Sequence, residues 1–104
     1  MTPDPLEKKI ETQMRKVAVD LGFAPYKFTS PSRRSVPDRL VLAPVPEWIR
    51  EIVGQYVVFI EFKRKGRKAT AAQQREHDYL RTLGYRVEIV DSVEQGKVIL
   101  GSMG

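Results

Sequence analysis

A strand, a capped helix and a second strand follow one another in the second half of the chain, and this order constrains the fold more than any other feature. Tyr56–Phe62 is rich in the β-branched and aromatic residues that favour strands. The run Thr70-Ala71-Ala72-Gln73 has the pattern of a capping box, and the helix that it begins is predicted to end at Gly84. Val87–Val90 predicts the next strand. Strands and helices in this order predict an α/β fold, in which helices flank a small mixed β-sheet.

The first half of the chain predicts one long helix followed by short elements. Leu6, Ile10, Met14, Val17 and Leu21 recur at the spacing of one helical face, and Gly22 is predicted to end the helix. Further along, the sequence predicts three short elements: a strand within Phe23–Thr29 that contains Pro25, a strand at Leu40–Leu42, and a two-turn helix at Pro46–Val53.

The length of 104 residues predicts a single domain that spans residues 1–104. The absence of cysteine excludes disulfides and thiol catalysis. The longest uninterrupted apolar run is Tyr56–Ile60, much shorter than the roughly 20 residues of a membrane-spanning helix. We therefore expect no membrane association. The N-terminus has no apolar block of the signal-peptide type, which favours a cytoplasmic protein.

Basic residues outnumber acidic residues by 18 to 13, and the formal net charge is +5. Their placement is uneven, because Lys63–Lys68 contains five cations in six residues and Arg33, Arg34 and Arg39 form a second group. Such clusters suit a nucleic acid, whose phosphates attract Lys and Arg. A basic surface that is merely solvated is the alternative.

Asp38, Glu61 and Lys63 carry the residue types of a catalytic site. Alternate residues of a strand share a face, so Glu61 and Lys63 are predicted to project together while Ile60 and Phe62 pack on the apolar side. Two carboxylates beside a lysine form a site of hard oxygen ligands that suits Mg²⁺. An ordinary cross-strand ion pair is the alternative explanation.

Helical angles add two candidates. Glu11 lies at the edge of the apolar stripe of the first helix, with Glu7 as the second choice, although a solvated Glu11 could instead pair with Arg15. In the second long helix Gln73 is predicted to point inward, but its side chain could equally serve the capping box. His77, one turn later, is either a packing or surface residue or a phosphate contact.

In order along the chain, these residues match a known family. Glu11, the run from Ser30 to Asp38 that ends in Val-Pro-Asp, Glu61-Phe62-Lys63 and Gln73 resemble the signature of the VRR-NUC family, within the PD-(D/E)XK nuclease superfamily. The resemblance covers roughly residues 7 to 91. Ser35 stands where members often have glycine, and the segment from Pro44 to Gly54 looks like an insertion.

The resemblance implies a restriction-endonuclease-like core and metal-dependent hydrolysis of phosphodiesters. Asp38, Glu61, the backbone carbonyl of Phe62 and, through water or a second ion, Glu11 are then ligands of Mg²⁺ or Mn²⁺. Lys63 is expected to orient the attacking water, and Gln73 joins the catalytic set. Six cations are expected to contact the DNA backbone: Arg33, Arg34, Arg64, Lys65, Arg67 and Lys68.

Standalone viral members of this family act on branched DNA as homodimers, so the resemblance implies four-way junctions as substrate and a homodimer as the assembly. Trp48, Ile49, Ile52 and Val53 form an apolar stripe that we expect to help form the dimer, unless this short helix folds back over its own sheet. The alternative of another class is a binding module without catalysis, whose basic surface binds nucleic acid.

Overall fold

The computed structural model describes residues 5–29 and 35–104. The chain divides into two compact units, Met1–Pro44 and Val45–Gly104, and each is described by itself. The predicted α/β class is confirmed. The strands form one two-stranded ladder in each unit where the sequence predicted a single small sheet. In the part of the chain that the structure describes, no helix has the length and apolarity needed to cross a lipid bilayer. The single domain stays a prediction.

The first unit consists of a helix and a short antiparallel ladder. Its elements are α1 (Pro5–Asp20), β1 (Ala24–Lys27) and β2 (Arg39–Leu42), with Tyr26 opposite Leu40. The predicted end of α1 is confirmed: Gly22 has a φ of 80°, and Phe23 N–H donates to the Ala18 carbonyl at 2.9 Å. This 6→1 hydrogen bond, with a left-handed glycine before its donor, is a Schellman motif.

Most of the apolar stripe of α1 is exposed, and Ala18 is the buried residue among those described in the helix. A helix of 16 residues is about 24 Å long, whereas a strand of four residues spans about 13 Å. The ladder of this unit can therefore cover only about half of the helix. The exposed members of the stripe are Leu6, Ile10, Met14, Val17 and Leu21.

The second unit is built on the predicted strand–helix–strand order. Its elements are a 3₁₀ turn (Glu47–Ile49), α2 (Arg50–Tyr56), β3 (Val58–Phe62), α3 (Ala71–Leu83), β4 (Arg86–Val90) and α4 (Val93–Gly101). β3 and β4 pair in parallel, with Glu61 opposite Ile89. The strand predicted from Tyr56 begins at Val58, because Tyr56 still belongs to the last turn of α2.

Both predicted ends of α3 are confirmed. Thr70 Oγ1 accepts the Gln73 N–H at 3.1 Å, while Gln73 Oε1 accepts the Thr70 N–H at 3.0 Å. Gly84 follows the helix in the left-handed conformation, with a φ of 102°. The inward face of α3 buries His77, Leu80 and Leu83. Local signals thus define α3 before any packing is considered.

The segment predicted as an insertion is hydrogen-bonded to the rest of the second unit. The Arg50 guanidinium donates from Nε to the Val45 carbonyl at 3.0 Å, and Val45 N–H donates to the Leu83 carbonyl at 2.7 Å. Arg86 Nη1 donates to the Gly54 carbonyl at 3.1 Å. These contacts join α2 to the end of α3 and the start of β4.

Candidate active-site residues

Glu61 lies in β3 and Lys63 directly follows this strand, so the alternation of an extended backbone predicts that the two side chains share one side of the parallel ladder. Lys63 N–H donates to the Val90 carbonyl at 2.9 Å, so the ladder continues one residue beyond the strand. The Glu61 side chain is 29% exposed. The pair is therefore fixed at its backbone while its carboxylate remains accessible.

Phe62 does not pack as the alternation predicted. Its exposed fraction is 74%, whereas Ile60 is half-buried. Phe62 is the last residue of β3, and the face opposite Glu61 is not covered there within the described part of the second unit. The prediction of a buried Phe62 side chain is wrong, and the predicted metal contact of its backbone carbonyl stays a prediction.

His77 reaches the carboxylate of Glu61 from α3. Its Nε2 lies 3.4 Å from Glu61 Oε1, and the residue is 6% exposed. The interpretation of His77 as a packing residue is confirmed. Sequence reasoning missed its contact with Glu61, because the two residues are 16 positions apart and no local pattern joins them.

Gln73 is half-buried, whereas its neighbour Gln74 is exposed. The capping interpretation of Gln73 is confirmed by its reciprocal hydrogen bonds with Thr70. One of these bonds engages the side-chain oxygen of Gln73 and the other its backbone N–H, so its side-chain nitrogen is the group left to serve a catalytic role. That role stays a prediction.

Asp38 lies in the first unit, immediately before β2. Its side chain is exposed, and its backbone carbonyl accepts the Phe28 N–H at 2.8 Å. Three residues earlier, Ser35 has a φ of 63°, in the left-handed region. The position where the family often has glycine is thus one whose backbone conformation favours glycine.

Glu11 has a partner other than the one that sequence reasoning considered. Its Oε1 accepts a hydrogen bond from Arg39 Nε at 2.8 Å and another from Arg39 Nη2, so the alternative pairing with Arg15 is wrong. The ion pair joins α1 to β2 across 28 positions of sequence. It also removes Arg39 from the cations that are free to meet a phosphate.

The predicted metal ligands are shared between the two units: Glu11 and Asp38 belong to the first, Glu61 and Phe62 to the second. Among residues 5–29 and 35–104, no three His, Asp or Glu side chains form a metal-binding cluster. The second unit offers one accessible carboxylate and a backbone carbonyl at the end of β3. Such oxygen donors fit Mg²⁺ or Mn²⁺, which bind one or two carboxylates and keep several waters.

The loop between β3 and α3, residues 64–68, presents four exposed cations, which we call the basic loop: Arg64, Lys65, Arg67 and Lys68. Its turn is closed by a hydrogen bond from Arg67 N–H to the Arg64 carbonyl at 2.9 Å, and Gly66 has a φ of 84°. None of the four forms an ion pair with a described residue. Arg33 and Arg34 lie outside the described residues.

The chain is similar to a phage protein in sequence and was also compared with solved structures. The chain is 38% identical over 96 residues to "Putative nuclease p44" of Acyrthosiphon pisum secondary endosymbiont phage 1, covering 92% of this chain and 89% of that protein. A structure described as "VRR_NUC domain" is 25% identical, covers 91% of this chain and 94% of its own, and has a TM-score of 0.42, which is too low to add support. No family model matches the chain.

Proposed function

We propose that the chain, which belongs to the VRR-NUC family of nucleases and is 38% identical to the phage protein "Putative nuclease p44", is a metal-dependent deoxyribonuclease that cuts branched DNA in the cytoplasm. The observation that carries the proposal is the position of Glu61 in β3 and of Lys63 directly after this strand, next to the basic loop. A carboxylate, a lysine and a phosphate-binding surface are the parts that phosphodiester hydrolysis needs.

Each residue has a distinct task in this proposal. Glu61, the Phe62 carbonyl and Asp38 would hold Mg²⁺ or Mn²⁺, and Glu11 would contribute through water or a second ion. The ion, when bound, polarises the phosphodiester and lowers the pKa of a coordinated water. Lys63 orients that water and opposes the negative charge that develops on the phosphate.

DNA binding is assigned to distributed cations rather than to base-reading groups. The four cations of the basic loop, together with Arg33 and Arg34, contact phosphates and position the duplex on either side of the cut. Contacts of this kind carry no direct sequence information, so we propose that the shape of the junction determines the substrate.

The proposal predicts that the protein cuts a labelled four-way junction only when Mg²⁺ or Mn²⁺ is added. An excess of EDTA should abolish cleavage and leave most of the DNA affinity, because affinity comes from the cations. Gel analysis of cleavage and fluorescence anisotropy of binding measure the two properties separately. Binding without any metal-dependent cleavage would favour the alternative, a binding module without catalysis.

We also propose a homodimer, because a two-fold junction requires two active sites. Two of the four residues of the apolar stripe in Pro46–Val53 are available for a dimer contact. Trp48 is 83% exposed and Ile52 is 55% exposed, whereas Ile49 and Val53 are half-buried. An exposed tryptophan beside an exposed isoleucine is typical of a protein contact surface.

Light scattering of the wild type should therefore give the mass of a dimer, and the double variant Trp48→Ala, Ile52→Asp should give that of a monomer. Leu100→Asp, an exposed apolar residue of α4, is the matched control and should remain dimeric. Circular dichroism checks that the variants are folded. A monomeric wild type contradicts the dimer, and a folded dimeric double variant contradicts this interface.

A further inference from the structure

We infer that His77 is a positioning residue, which orients the carboxylate of Glu61 for metal binding. The inference rests on the proposed function, because it concerns the carboxylate that we assign to the metal ion. His77 Nε2 lies 3.4 Å from Glu61 Oε1. The contact joins the middle of α3 to β3, the strand that carries Glu61.

The surroundings of His77 favour an apolar side chain. The other buried residues of α3 are Leu80 and Leu83, and His77 Nδ1 is buried without a hydrogen-bond partner among the described residues. A buried polar atom without a partner destabilises a folded protein, so leucine would fill this position at less cost. Among the described residues, the contact with Glu61 is the feature of the site that a hydrogen-bond donor at this position serves.

The contact also determines the tautomer. For a neutral ring to donate a hydrogen bond to Glu61, its proton must be on Nε2, and Nδ1 is then the unprotonated nitrogen. Glu61 Oε1 accepts this bond, while Oε2 stays available as a ligand. A hydrogen bond to one oxygen restricts the rotation of a flexible glutamate and holds its other oxygen in place.

The distance of 3.4 Å is long for a hydrogen bond. Contacts in an unliganded active site are often long and tighten when the ligands are bound. Because His77 is buried, we expect it to have no direct contact with DNA and to act through Glu61.

Two substitutions separate positioning from packing. His77→Leu keeps the apolar volume but removes the donor, whereas His77→Gln keeps a donor near the position of Nε2. Titration calorimetry with Mn²⁺ on the DNA-free protein should show an affinity about 10–100-fold lower for the leucine variant. The glutamine variant should recover most of the loss. Neither variant should change the KM for DNA, because the basic loop is intact.

Gln74→Leu is the matched control: it removes an exposed hydrogen bond to Asp78 on the same helix and should leave Mn²⁺ affinity unchanged. Circular dichroism establishes that all three variants are folded. A folded leucine variant with wild-type Mn²⁺ affinity overturns the inference alone, as does a glutamine variant as weak as the leucine variant. A wild type that binds no Mn²⁺ and does not cut DNA overturns the proposed function as well.

Discussion

Lys63→Ala is expected to lower the rate of junction cleavage by at least about 10²-fold while leaving DNA affinity close to that of the wild type. The reason is that Lys63 acts on charge that develops during the reaction, whereas its backbone, bound to Val90, maintains the ladder without the side chain. Glu61→Gln should have the same effect, and Asp38→Asn as well. Either neutral variant should bind DNA at least as tightly, since a negative charge is lost near phosphate. Single-turnover cleavage with saturating protein measures the rate without interference from binding.

The basic loop supplies the matched control, because its cations should affect binding rather than chemistry. Arg67→Ala combined with Lys68→Ala should lower DNA affinity and reduce the slope of log affinity against log salt by about 0.7–0.9 for each lost contact. Cleavage at saturating protein should change little. A Lys63→Ala variant that cuts at the wild-type rate contradicts the proposed site, and an unchanged salt slope assigns the basic loop to a solvated surface.

Gly84→Ala is expected to destabilise the second unit by about 2–4 kcal/mol, the second-largest effect that we predict. Two costs add at this residue. Its φ of 102° strains any residue with a Cβ, and a Cβ built there lies 2.9 Å from Val45 Cβ and 2.6 Å from Arg50 Nε. The substitution must therefore also displace the guanidinium that binds the Val45 carbonyl. Urea denaturation followed by circular dichroism measures the loss.

Gly66→Ala separates the two costs, because Gly66 lies in the same unit at a similar φ of 84°, and a Cβ added to it has no described atom within 4 Å. The free energy of unfolding of this variant should be about 1 kcal/mol lower than that of the wild type, because of backbone strain alone. Equal losses at the two glycines would show that the contacts with Val45 and Arg50 do not contribute.

The elements that could be predicted from sequence are those whose signals lie within a few residues. Gly22 ends α1 and the Thr70–Gln73 capping box begins α3, because both motifs satisfy backbone groups of the helix end itself. The strand at Val87–Val90 follows from residue preference and is found one residue longer. The alternation that we expect of Glu61 and Lys63 rests on strand geometry, and it stays a prediction because Lys63 lies one residue beyond β3.

Features that depend on distant partners could not be predicted. Glu11 pairs with Arg39, which is 28 residues away in sequence, and Glu61 contacts His77, which is 16 residues away. Neither contact produces a periodic pattern in the sequence. The exposure of Phe62 also depends on parts of the chain that are distant in sequence. Alternation predicts which face a side chain occupies, but whether that face is covered depends on how the elements pack.

The ion pair between Glu11 and Arg39 affects Asp38, the residue that precedes Arg39. Arg39 follows Asp38 directly and is the nearest guanidinium in the sequence to that carboxylate, yet both of its described hydrogen bonds go to Glu11. Asp38 is exposed and forms no ion pair with another described residue. By occupying Arg39, Glu11 withholds from Asp38 its nearest guanidinium in the sequence, and an exposed carboxylate left in this state attracts cations from the surrounding solution.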